Sequence, residues 1–167
     1  MKKTIITFVI TLFAAISATS QTKFDLPQNI ELKTESDYAK YENDIISAAK
    51  WLEETDLNQE TDKRKQVDVF IIKWMSGTPK ITVELSESLI KLYGENNELM
   101  VLYMASYSAY SLENENANKT AAIKAGIVSM INVYKKGISI KKSKEMEKAI
   151  KAFDQNKLDE YIAKNFG

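Results

Sequence analysis

From Glu98 to Glu113 the chain reads ELMVLYMASYSAYSLE, about four helical turns with almost no polar face. Leu99 to Met104 are apolar in succession, Tyr107, Ala109, Tyr110 and Leu112 continue the pattern, and the only relief is the small set Ala105, Ser106, Ser108 and Ser111. A helix apolar nearly all round belongs in the middle of a protein, covered on several sides. The other segments are one-sided. Tyr38, Tyr41, Ile45, Ala48, Ala49 and Leu52 recur at spacings of three and four, so a single helix is predicted from a cap at Ser36 or Asp37 to about Glu54. A second runs from about Asp62 to Ser76 with Val67, Phe70, Ile71, Trp74 and Met75 inward, ended by Gly77 with Pro79 just beyond.

Residues 80–85 (KITVEL) alternate, but a lone strand has no partner for its backbone, so an extended connector is expected. Ser86 caps a short helix to Tyr93, stopped by Gly94. After the polar loop Asn114–Asn118, a long helix is predicted from Lys119 to Lys136, with Ala122, Ile123, Ile127, Met130, Ile131 and Tyr134 as its stripe and Gly137 as its stop. Lys135 and Lys136 lie in its last turn, at the negative end of the dipole. Ser143 caps a helix through Phe153, and a last one spans about Leu158 to Phe166. Residues 21–35 have no period and contain Pro27; they read as an extended lead-in tacked down by Phe24, Leu26, Ile30 and Leu32. The fold expected is all-α: one domain over residues 36–167, a bundle or short solenoid of about six or seven helices.

The order helix, polar loop, helix, extended link, short helix occurs twice. At an offset of 60 residues Ala49 meets Ala109, Leu52 meets Leu112, Val67 meets Ile127, Ile71 meets Ile131, Trp74 meets Tyr134 and Gly77 meets Gly137. Units at 38–96 and 98–156 would then be two repeated helical hairpins, although core positions of unrelated amphipathic hairpins also align in this way. The segment Ala149-Ile150-Lys151-Ala152-Phe153 resembles a helix of the tetratricopeptide-type arrays found in secreted proteins of Bacteroidota. That resemblance implies a curved helical stack. The 34-residue period of the family and its diagnostic residues are absent, so no site residue is carried over.

Ahead of the domain, Lys2 and Lys3 precede an uncharged run from Thr4 to Ser20 whose apolar heart is Ile5 to Ile16, and Ala18-Thr19-Ser20 puts small residues where a signal peptidase reads. This is the form of a secretory signal over residues 1–20 with Gln21 as the mature N-terminus, and the double-Lys start and Ala-x-Ser-Gln junction resemble signals of Bacteroidota. The alternative, a retained anchor, is disfavoured because the heart falls short of the roughly 20 residues of a spanning helix. The protein is expected to be exported, periplasmic or extracellular, with no membrane span after cleavage.

Composition narrows the chemistry. There are no cysteines, hence no disulfide framework and no lipid attachment, and no histidines, which removes the commonest metal ligand and the commonest proton shuttle near neutral pH. No Asp-x-Asp-x-Asp-Gly loop is present for calcium, and no cofactor is expected. Charge is uneven: residues 21–62 hold 4 Lys against 11 Asp or Glu, and residues 135–167 hold 9 Lys against 5 acidic residues. A head-to-tail contact and a pair of solvated faces both fit this asymmetry. Arg64 is the sole arginine of the chain, which argues against a nucleic-acid partner.

Tyr103, Tyr107 and Tyr110 stand at i, i+4 and i+7 on the central helix. Such a wall offers a flat apolar surface with hydroxyls at its edge, suited to a protein segment or a small ligand, and it equally suits a packed core. Glu53 with Glu54, Asp37, Asp44, Glu113 and Glu115 are the carboxylates from which a glycoside-cleaving pair would be drawn, but no spacing selects one. Ser106, Ser108 and Ser111 have no histidine to activate them and no Gly-x-Ser-x-Gly elbow. The expectation is a non-catalytic exported binding or accessory protein acting through a helical groove. The alternatives are an inhibitor or immunity-type protein and a histidine-free hydrolase using two carboxylates.

Overall fold

The stripes and caps resolve into eight helices among the residues described by the computed structural model, 23–116 and 118–167. They are α1 (Glu35–Lys40), α2 (Glu42–Glu54), α3 (Thr61–Met75), α4 (Glu87–Tyr93), α5 (Asn97–Glu113), α6 (Lys119–Lys136), α7 (Lys144–Asp154) and α8 (Leu158–Phe166), with no strand among the described residues. The protein is all-α. The segment KITVEL is a connector without helix or strand, as the want of a partner strand indicated. The leader expected at residues 1–20 lies outside the described residues.

α5 is the centre. It packs along α6 and α2 and also meets α3 and α4, which is why its sequence has lost a polar face. Leu99, Val101, Leu102, Tyr103, Ala105, Tyr107, Ser108 and Ala109 are all buried. Ser108 and Ser111 satisfy their hydroxyls within the helix, donating to the carbonyls of Met104 and Tyr107, each at 2.9 Å. α8 closes the far side of α6 and packs on α7.

The helix expected to run unbroken to Glu54 is two helices. Its cap is Thr34, ahead of the serine or aspartate expected, and Asp37 closes the capping box by accepting from the Thr34 amide at 2.9 Å. The break falls at Tyr41 (φ −100, ψ 6) and has an identifiable cause. The Tyr38 carbonyl, which a continuous helix would offer to residue 42, accepts from the Tyr41 amide at 3.1 Å and from the Trp74 indole Nε1 at 2.9 Å. A side chain from another helix has entered the backbone ladder.

Gly77 also acts differently from the stop residue expected. α3 ends at Met75, with Ser76 in helical geometry as its cap, and the Tyr38 hydroxyl lies where a β-carbon on Gly77 would come within 1.9 Å of it. Gly137 is the left-handed helix stop its position suggested, at φ 69 and ψ 9.

Two buried polar residues tie the short helices together. Asn96 donates to the carbonyls of Tyr93 and Lys141 and accepts from the Lys141 amide, at 3.0, 2.9 and 2.7 Å. Ser143 caps α7 through the Met146 amide, donates to the Leu92 carbonyl at 3.0 Å and has its own amide bonded to the Tyr134 hydroxyl at 2.9 Å. The α4 C-terminus and the α7 N-terminus are thereby one hydrogen-bonded unit.

At the 60-residue offset some aligned positions are buried in both members. Ile45 and Ala105, Ala48 and Ser108, Val67 and Ile127, Ile71 and Ile131, Leu89 and Ala149 are such pairs. The packing is not equivalent: α5 and α6 lie closely along each other, whereas α2 turns away from α3 to pack on α5.

Candidate functional site

α2 and α6 are tied near their C-terminal ends over α5. Ser106 Oγ on α5 donates to Ser129 Oγ on α6 at 2.9 Å, and Ser129 Oγ donates to Glu53 Oε2 on α2 at 2.6 Å. Asn132 Nδ2 donates to the other carboxylate oxygen at 2.8 Å. One turn further along, Lys136 Nζ reaches the α2 C-terminal carbonyls of Glu53 (2.8 Å) and Glu54 (3.1 Å) and pairs with Asp56 at 3.3 Å. The acidic early part and the basic late part of the chain thus meet within one molecule at this point.

Upstream of that tie α2 and α6 enclose an open groove of about 550 Å³ with α5 beneath it. Its apolar surface is formed by Ile46, Ala49, Ala109, Tyr110, Ala125 and Val128. The space exists because alanines stand where larger side chains would fill it: Ala49, Ala109, Ala121 and Ala125. The charged rim comprises Lys50, Glu53, Glu54, Glu113 and Lys124. Lys50 pairs with Glu54 at 3.9 Å, and Lys124 turns outward to Asp159 at 2.7 Å.

The three tyrosines part company. Tyr103 is 2 % exposed and belongs to the core, where burial, with a smaller contribution from Tyr107, raises its phenol well above the usual range. Tyr107 is 7 % exposed, its ring 6.1 Å from that of Tyr103, and its edge lines a second, more polar cleft of about 570 Å³ with Glu42, Lys80, Asn114, Glu115 and Lys119. Ion pairs Lys80–Glu42 (2.7 Å) and Lys119–Glu84 (2.6 Å) border that cleft. Tyr110 alone reaches the α2–α5–α6 groove.

Of the candidate carboxylates, Glu53, Glu54 and Glu113 come to one groove and Glu115 to the other cleft. Asp37 is taken up by the α1 cap and by Lys40 at 2.7 Å, which together hold its carboxyl far below the ordinary range. Asp44 lies in the first turn of α2, and burial raises its pKa. Both oxygens of Glu53 accept from fixed donors, so the serine chain holds this carboxylate in place. Ser106 gives its proton to Ser129 and faces no base. Among the described residues no group of three His, Cys, Asp or Glu is placed to hold a metal, and no helix is long and apolar enough to cross a membrane.

Ser129, Asn132 and Lys136 are the groove-closing residues that the stripe of α6 did not single out. Ser129 and Gly126 carry the one usable signal: small or polar residues three apart within an otherwise apolar face, both buried. No family model, no curated protein and no solved structure matches the chain.

Proposed function

We propose that this is a non-catalytic, exported binding protein of the cell envelope that receives a protein segment or small ligand in the groove between α2 and α6 over α5. The observation that carries the reading is the groove itself: apolar alanine-lined walls on three helices, pinned at one end by the Ser106–Ser129–Glu53–Asn132 chain. Binding sites combine apolar walls, a few fixed polar groups and a pre-formed shape, and all three are present. Export rests on the leader-like residues 1–20, and N-terminal sequencing of the exported protein should then begin at Gln21.

The test is affinity capture from the envelope fraction of the producing cell, using the wild-type protein and an Ala125→Trp variant side by side. Ala125 lines the groove, so an indole there fills it. A partner retained by wild type and lost by Ala125→Trp, with the helical circular dichroism unchanged, supports the reading. Identical capture by both proteins contradicts it.

A further inference from the structure

The charges around the groove do not cancel. Lys50 is neutralised by Glu54, Lys124 is drawn away to Asp159, and Lys136 is engaged with the α2 carbonyls and Asp56. The Glu53 carboxylate is held by two uncharged donors and has no cation within ion-pair distance among the described residues. Glu113, exposed at the opposite end, likewise has no ion pair among the described residues. A mostly apolar trough is therefore left with one uncompensated negative charge at each end.

The spacing of these charges is informative. Glu53 is level with Ser106 of α5 through Ser129, and Glu113 lies seven residues further along the same helix, about 10 Å by helical rise. The α2 wall from Ile46 to Glu54 is about 12 Å long by the same measure. Two helical walls with alanines between them accept the ridge of a further helix at ordinary packing distance. On such a helix residues i and i+7 are about 10 Å apart, and i+3 and i+4 lie between them on the same face.

We infer that the groove's partner is an amphipathic helical segment with a basic residue at each end of a short apolar face, in the pattern Lys/Arg at i and i+7 with large apolar residues at i+3 and i+4. The apolar pair fills the space over Ala109 and Ala125, and the two cations meet Glu53 and Glu113. This is helix-in-groove recognition with charge setting register and direction. It rests on the reading that the groove is the binding surface, and it names the chemistry of what binds there.

The experiment measures fluorescence anisotropy of labelled synthetic helix-forming peptides against the full protein at low ionic strength. One peptide carries Lys at i and i+7 and Leu at i+3 and i+4; a second keeps Lys at i and has Glu in place of the Lys at i+7. The cationic peptide should bind wild type and lose about tenfold or more on Glu113→Lys, while the mixed-charge peptide binds Glu113→Lys more tightly than wild type. Ala125→Trp should remove binding of either peptide. If Ala125→Trp removes binding but Glu113→Lys leaves the peptide preference unchanged, the groove reading stands and the basic-helix inference falls. If neither variant changes binding, both fall.

Discussion

The ring of Tyr103 lies across Gly126 so closely that a β-carbon on the glycine would come within 2.6 Å of Cδ2 and 3.0 Å of the Tyr103 carbonyl oxygen. This contact sets the separation of α5 and α6, the pair that forms the floor and one wall of the groove. Ala is worth about 1 kcal/mol more than Gly within a helix, yet neither a buried ring nor a helix backbone can retreat cheaply. Gly126→Ala is therefore expected to lower stability in urea by about 1–2 kcal/mol net. Pairing it with Tyr103→Leu should recover part of the loss, since the two changes share one contact. Gly137, where nothing lies within 4 Å of a β-carbon, should lose only the backbone cost of its left-handed geometry, about 1–2 kcal/mol.

Arg64 is buried, and its Nη2 donates to the carbonyls of Thr55 at 2.6 Å and Leu52 at 3.3 Å, with the guanidinium 5.6 Å from the Trp51 ring centroid. It closes the C-terminal end of α2, the role a C-terminal glycine plays elsewhere. Arg64→Met keeps the stem and removes both bonds, leaving two carbonyls without this donor. A loss of about 1–3 kcal/mol in urea unfolding is expected. Lysine, with a point charge and no fork, should not restore it.

Asp68 follows Arg64 by one turn of α3 and is half-buried. Burial raises its pKa from 3.8 to about 6; Arg64 opposes this and Glu98 on α5 adds to it. A carboxyl whose pKa is higher in the folded chain binds more protons there than in the unfolded chain. This group therefore favours folding most at acidic pH, and its contribution declines as pH rises from about 4 to about 6. Asp68→Asn should raise the unfolding midpoint at pH 7 and flatten the pH dependence across that window. A variant less stable than wild type at pH 7 would contradict the assignment.

Asn96 makes three hydrogen bonds that join the loop after α4 to the segment before α7. Asn96→Ala leaves the Lys141 amide without its acceptor and should cost about 1–3 kcal/mol. Asn96→Asp should not rescue it, because a carboxylate cannot donate to the two carbonyls. Amide hydrogen exchange should show the loss centred on α4 and α7.

The helices were largely legible, because their signals are local. Ser86 and Ser143 cap α4 and α7 as their positions indicated, accepting from Leu89 and Met146, and the apolar circumference of α5 correctly marked the centre. The break at Tyr41 was not legible, since it depends on an indole 36 residues away in sequence. Gly77 looked like a helix stop, although its glycine makes room for Tyr38.

At the candidate site, Glu53, Ser106 and Tyr110 could be singled out from the chain, but their company could not. Ser129 reaches Glu53 across 76 residues and Asn132 across 79, contacts that no local period encodes. The tyrosine spacing placed three rings on one stripe of α5. It could not reveal that Gly126 admits one of them to the core while neighbouring helices divide the other two between separate clefts.

The central claim is that the α2–α5–α6 groove is where this protein meets its partner, and site-specific photo-crosslinking in the producing cell tests it most directly. A photoreactive phenylalanine analogue replaces Val128 in the groove or, as a control, Val69, which is 64 % exposed on the outer face of α3. The account predicts a discrete adduct from position 128, absent at position 69 and reduced by a second change Glu113→Lys. Adducts of equal yield from both positions, or an adduct from position 69 alone, would contradict it.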